Sequence, residues 1–145
     1  MIFFDASAAA KRYFQESGSE LVNRLWSGPE FFSSLAILHC ELTSALNQKR
    51  RERALPRGTY QTLKKQIGED LRKIQAVPVN AELIEVSLRV LDAHPLETLD
   101  SLYLAGALTL QQTLKEPVLF VAADRKLLQA AQAEGLRALN PETGP

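Results

Sequence analysis

A single carboxylate set in an apolar helix constrains this chain more than any other feature. The stretch Leu99–Leu110, LDSLYLAGALTL, has the length and composition of a buried helix and carries one charge, Asp100. Burying an unpaired ion costs several kcal/mol even after its surroundings relax, so Asp100 needs a cation, a proton or access to solvent. No Lys or Arg lies within a turn or two to supply the cation. Asp100 is therefore either an isolated oddity or part of a site. Which of the two holds depends on whether other carboxylates can meet it.

The rest of the chain alternates short apolar runs with amphipathic segments. Met1–Phe4 reads as a strand buried on both faces of a parallel sheet. Asp5 ends it, and Ala8 to Phe14 reads as a short helix. Ser17 and Glu20 have capping-box spacing for a helix running to about Trp26, which Gly28-Pro29 stops. Glu30–Ser33 is a second predicted strand. A long helix from Ser34 to about Arg53 follows, with Leu35, Leu38, Leu42, Ala45 and Leu46 on its apolar stripe. Glu41 belongs to that stripe, a second acid on a face that should be apolar. Thr59 to Gln75 reads as another helix, so residues 34–75 form a helical hairpin. Val77–Val79 looks like an edge strand, since Pro78 is poorly tolerated centrally.

Asn80 caps a predicted helix from Ala81 to Ala93, broken by His94-Pro95. Thr98 caps the organising helix, which runs to about Lys115. The apolar run Val118–Val121 is the next strand, and Asp124 follows it as Asp5 follows the first. A helix from Arg125 to Glu134, with Gly135 as its stop, leads to a last strand at Leu136–Leu139 and a tail at residues 140–145. His39 reads as a surface residue, His94 as structural, and Cys40 as a packed thiol among apolar neighbours.

Alternating strands and helices argue for an α/β fold with a central, mainly parallel sheet of four to five strands, and 145 residues suffice for a single domain. All strand-to-helix turns of such a sheet emerge on one edge. Asp5 and Asp124 share that edge by topology, and Glu41 and Asp100 lie on helices that start there. Each acid alone has a bland explanation as a cap or surface residue. Four on one end of one sheet are harder to dismiss.

Clustered carboxylates repel unless a proton or cation relieves them. Hard divalent ions such as Mg²⁺ take oxygen ligands and suit a few Asp and Glu side chains plus a substrate phosphate. His and Cys ligands are missing, which disfavours zinc. The chemistry that follows is metal-assisted phosphodiester hydrolysis with Asp5, Glu41, Asp100 and Asp124 as ligands, directly or through water. Ser7, two residues from Asp5, is placed to hydrogen-bond a carboxylate or water beside the ion.

Charge and motif content narrow the function classes. Net charge is zero, so the whole molecule exerts no strong pull on nucleic acid or membrane. Residues 49–73 nevertheless hold nine of the 17 Lys and Arg, among them Arg50, Arg51 and Arg53, against three acids. That run is a solvated helix surface or a phosphate-contacting rim. Cys40 is alone, which fits a reducing, cytoplasmic setting. No secretion signal, membrane span, Gly-rich phosphate loop, CxxC or HExxH is visible.

Over nearly its whole length the chain resembles the PIN-domain family, and within it the VapC-type toxin ribonucleases. MIFFDASA resembles the family's apolar strand ending in Asp-x-Ser/Thr. SSLAILHCEL resembles the segment with the helical Glu, HPLETLDSLYLAGAL the segment with the third acid, and LFVAADRKLLQAAQAEGL the last strand, acid and helix. The acids follow one another at separations of 36, 59 and 24 residues. The resemblance implies a three-layer α/β/α PIN fold and a Mg²⁺ or Mn²⁺ site built from Asp5, Glu41, Asp100 and Asp124. It implies RNA cleavage, a small antitoxin partner and a homodimer. Three positions depart from the family pattern. Ala122 stands where a hydroxyl is common two residues before the last acid. Glu97 stands where a basic residue is common. Tyr103 stands where a His is common three residues after the third acid. Two other readings stay open: a PIN-like binding module with a weak site, and aspartate-based phosphoryl transfer through Asp5. The latter pattern usually has a second Asp where this chain has Ser7.

Overall fold

The computed structural model describes residues 1–144; Pro145, the last residue of the expected tail, lies outside the described residues. The elements are β1 (Ile2–Phe4), α1 (Ala6–Ala10), α2 (Ser19–Trp26), β2 (Phe32–Leu35), α3 (Leu38–Arg51), α4 (Thr59–Leu71), β3 (Gln75–Val77), α5 (Ala81–Ala93), α6 (Thr98–Leu114), β4 (Leu119–Val121), α7 (Arg125–Ala133) and β5 (Arg137–Leu139). The strands form one five-stranded sheet in the order β3-β2-β1-β4-β5, and every pairing is parallel.

The apolar run at the N-terminus explains why β1 is central. Alternate strand residues point to opposite faces, and both faces of β1 are covered. Phe3 packs into a core with Leu83 and Val90 of α5, Leu104 of α6 and Leu127 of α7. Ile2 and Phe4 pack into a second core with residues of α1, Val22 of α2, Leu42 of α3 and Ile67 of α4. The result is three layers: α1–α4 on one face, the sheet, and α5–α7 on the other. Strand order runs outward from β1 in both directions, so the connections reverse between β1 and β4. Open α/β sheets bind ligands at this point, outside the carboxyl ends of the strands.

Gly106 sets the height of α6 above the sheet. A Cβ there would lie 2.6 Å from Leu35 Cδ2 and 3.0 Å from Phe3 Cζ. Glycine costs a helix interior about 1 kcal/mol relative to Ala; here close approach of α6 to β1 and β2 outweighs that cost.

Several boundaries differ from the sequence reading. Ser33 is a strand residue as expected, and Ser34 and Leu35 extend β2 in place of the foot of a helix: Ser33 Oγ donates to Gln75 O at 2.7 Å and Ser34 Oγ to Phe4 O at 2.7 Å. Their hydroxyls are satisfied by neighbouring strands, so α3 begins only at Leu38. The α4 helix stops at Leu71, and Gln75–Val77 pairs with β2, which leaves Pro78 just beyond the edge strand. The capping box does not form. Gly18 precedes α2 at φ 87°, and a Cβ on it would meet the Pro141 backbone at 2.8 Å. Ser19 instead donates to Phe14 O and accepts from the Glu16 N–H. Packing of the C-terminal residues decides where α2 starts. Asn80 does cap α5, accepting from Leu83 N, whereas Thr98 is the first residue of α6 and Glu97 its cap position. The first helix is Ala6–Ala10, shorter and earlier than expected. Cys40 is exposed in the first turn of α3, not packed, because Leu38 and Leu42 take the inward positions. Among the described residues no helix is long and apolar enough to cross a membrane.

Candidate metal centre

A cleft of about 240 Å³ opens over the carboxyl edge of β1, walled by Asp5, Ser7, Glu41, Glu97, Asp100 and Tyr103. Asp5 sits at the end of β1, its N–H donating to Val121 O at 3.0 Å, so the β1 and β4 ends are tied together. Its carboxylate accepts from Ala8 N at 2.8 Å, which caps α1, and from the Ser7 hydroxyl, whose Oγ lies 2.8 and 2.7 Å from the two oxygens. The same Ser7 Oγ accepts from the Ala123 N–H at 3.0 Å. Ser7 therefore joins the first acid to the loop that carries the last.

Glu41 lies in the first turn of α3, half-buried, and accepts a hydrogen bond at Oε2 from the Tyr103 hydroxyl. Asp100 lies in the first turn of α6, where the helix dipole favours a negative charge. The next residue anchors that turn: buried Ser101 donates to Thr98 O at 2.7 Å and is 2.7 Å from Ser87 Oγ of α5. The approach to α6 is fastened by His94, whose Nε2 is 2.8 Å from Glu134 Oε1, with Arg89 on the same carboxylate. His94 is thus structural, and His39 is exposed, as the sequence suggested. Asp124 is exposed and caps α7 through Leu127 N at 2.7 Å.

The electrostatics tie these acids together. Asp5, 4% exposed, has its carboxyl pushed up to about 7, chiefly by burial; hydrogen bonds from Ala8 and Ser7 oppose the shift and the charge of Asp100 adds to it. Asp100 is also raised, first by burial and then by Asp124, Glu97 and Glu41. The Tyr103 phenol is raised by burial and by its bond to Glu41, so it stays a proton donor. Among the described residues none of Asp5, Glu41, Asp100 or Asp124 has a Lys or Arg partner.

The sequence-predicted acids therefore share one edge, with Asp5, Glu41 and Asp100 on a common cleft and Asp124 at its flank, coupled to Asp100 through charge. The oxygen-only donor set and the uncompensated negative charge suit a hard divalent cation. Among the described residues no three of these groups are already gathered to hold one ion. Each carboxylate with a mapped partner is engaged locally instead: Asp5 by Ser7, Glu41 by Tyr103, Asp124 by its helix. Mutual repulsion favours that separation, and an ion would draw the groups inward.

Two cleft features were not legible as such in the sequence. Glu97, which stands where a basic residue is common in the family, is part of the wall, three residues before Asp100. The Tyr103–Glu41 bond joins residues 62 apart and leaves no local signal. The basic residues Arg50, Arg51 and Arg53 lie at the far end of α3 and just beyond it, outside the cleft.

No family model matches the chain. Ribonuclease VapC45 of Mycobacterium tuberculosis is 28% identical to it, the alignment covering 100% of this chain and 99% of that protein. The crystal structure of FitAcB from Neisseria gonorrhoeae shares the fold with a TM-score of 0.69 at 16% identity, over 97% of this chain and 98% of that one. The crystal structure of PAE2754 from Pyrobaculum aerophilum has a TM-score of 0.59 at 19% identity, over 98% of this chain and 90% of that one.

Proposed function

The chain is a PIN domain of the VapC type, and on that premise we propose that it is a divalent-metal-dependent endoribonuclease, the toxin of a toxin–antitoxin pair. The observation that carries this reading is the cleft at the β1–β4 reversal, where Asp5, Glu41 and Asp100 meet without a basic partner and Asp124 adds its charge. Asp5, Glu41, Asp100 and Asp124 would hold Mg²⁺ or Mn²⁺. Such an ion supplies an activated water and stabilises the charge that develops on a phosphodiester. The chain's own residues arrange the rest. Ser7 orients Asp5 and couples it to the Asp124 loop. Tyr103, its phenol raised and so a proton donor, ties Glu41 of α3 to α6. Leu99, 48% exposed beside Asp100, offers a nucleobase an apolar surface at the cleft mouth.

In this reading the substrate is RNA and a small antitoxin from the same operon blocks the cleft. The active form is a homodimer, and the protein works in the cytoplasm. The test is cleavage of single-stranded and structured RNA with and without Mn²⁺. Wild type cleaves only with the ion, and Asp100→Asn abolishes cleavage while its circular dichroism spectrum is retained. Ion-dependent cleavage by Asp100→Asn at the wild-type rate overturns the assignment.

One observation favours a weakly catalytic binding module: the carboxylates are held apart by local partners. Mn²⁺ titration separates the two readings, since a retired site binds the ion poorly. Aspartate-based phosphoryl transfer is disfavoured, because Asp5 is buried, its Oδ1 is held by the Ala8 N–H, and the single Ser7 proton is shared across its oxygens.

A further inference from the structure

We propose that the tip of the α3–α4 hairpin is a phosphate-binding anchor for RNA, separate from the carboxylate cleft. The choice of RNA as ligand rests on the ribonuclease reading; the site itself does not. An open cavity of about 570 Å³ at the tip is lined by Arg50, Arg53, Arg57 and Tyr60, with Leu55 and Pro56. Among the described residues none of the three arginines makes an ion pair. Glu52, the one acid in this part of the chain, is bonded to the Gln48 amide at 2.9 Å. Three guanidinium groups around one cavity repel each other, and a planar fork of donors fits the oxygens of a phosphate better than any other common anion apart from a carboxylate.

One of the three is already held in place. Arg50 Cζ lies 4.3 Å from the centroid of the Tyr60 ring, and the Tyr60 hydroxyl donates to Asn47 Oδ1 at 2.7 Å. A stacked guanidinium loses less freedom when it binds. Arg53 follows the end of α3 at φ 54°, a left-handed position that glycine adopts without penalty. Lys64 reaches the same ring at 6.0 Å. Basic residues therefore continue from the cavity along both helices, which suits an extended polyanion over a single acidic side chain. Arg50 is nine residues beyond Glu41 in α3, about 14 Å along the helix axis. The anchor grips RNA away from the bond that is cut.

The experiment is fluorescence anisotropy of a labelled single-stranded RNA in EDTA, where hydrolysis does not intervene, over a salt series. Arg53→Gln/Arg57→Gln and the triple variant with Arg50→Gln are compared with wild type, with thermal melts as the folding control. The double variant keeps the Arg50–Tyr60 stack, so it serves if the triple variant does not fold. The expected result is about tenfold weaker binding or more for the triple variant. The slope of log K against log salt becomes shallower by about 2, at about 0.7 per single-strand phosphate. Unchanged affinity and slope, or no RNA binding by wild type, overturn the proposal. So does a poly-glutamate peptide that wild type binds more tightly than RNA and the variants lose, which assigns the tip to an acidic protein segment. RNA cleavage by wild type with Mn²⁺ is scored separately. Cleavage with unaltered binding in the variants defeats the anchor alone. Absent cleavage with lost binding defeats the ribonuclease reading alone.

Discussion

Replacing Asp5 by Asn isolates the cost of ionising the buried carboxylate. Its carboxyl moves from an ordinary 3.8 to about 7. At about 1.4 kcal/mol per tenfold change in proton affinity, that corresponds to about 4 kcal/mol. The folded-state value is raised, so the stabilising contribution of the protonated form is complete below pH 3.8. It is lost as pH rises towards and through 7. An asparagine carbonyl can still accept the Ala8 N–H, and the Ser7 hydroxyl can turn to accept from the amide. The variant therefore keeps the cap and never acquires the charge. In metal-free buffer the Asn variant already leads by about 1–2 kcal/mol near pH 5, where the carboxyl of the unfolded chain is ionised and the buried one is not. At pH 8 the Asn variant is the more stable by about 2–4 kcal/mol, or about 6–12 °C for a chain of this size. Saturating Mn²⁺ closes most of that gap at pH 8: it stabilises wild type by about 3 kcal/mol at a hundredfold excess over its dissociation constant and leaves the variant almost unmoved. Thermal melts by circular dichroism from pH 5 to 8, with EDTA and with Mn²⁺, measure both effects. Parallel melting curves for wild type and variant across that range in EDTA would falsify the argument, because an ionised Asp5 would then carry no penalty to be relieved.

Tyr103→Phe removes the hydroxyl that holds Glu41. It is expected to lower stability by about 1–2 kcal/mol in EDTA and by less in Mn²⁺, where the ion takes over Glu41; paired melts check this. Ser7→Ala breaks the link between Asp5 and the Ala123 N–H, and Mn²⁺ titration is expected to show about tenfold weaker binding. Gly18→Ala sets a Cβ against the Pro141 backbone at a left-handed position. It is expected to destabilise by about 2 kcal/mol or more in urea unfolding, with cleavage per folded molecule unchanged.

Local patterning carried most of the architecture. The run IFF needs cover on both sides, so it predicts a central parallel strand, and β1 lies in the middle of the sheet with Phe3 in one core and Ile2 and Phe4 in the other. Acids that follow apolar strands were predicted on one edge, and parallel topology alone brings Asp5 and Asp124 there. Asp100 stood out because a carboxylate does not belong within LDSLYLAGALTL. The cleft explains it, in the company of Asp5, Glu41 and Glu97.

Whatever depended on a partner distant in the chain was decided by tertiary structure. Ser34 reads as the foot of the long helix, yet Phe4 O accepts its proton and keeps it in β2. Ser17 and Glu20 have capping spacing, yet the Pro141 backbone at Gly18 sets the start of α2. Cys40 falls among apolar neighbours in sequence, yet the rotation of α3 that buries Leu38 and Leu42 turns it to solvent. The Tyr103–Glu41 bond and the arginine cavity beside Tyr60 arise only when helices dock. Helix and strand periods are properties of residues close together in the chain, and the sequence states them directly. Register, side-chain direction and pairing between elements are set by which surfaces fill the space between layers, and that choice is made by the folded chain as a whole.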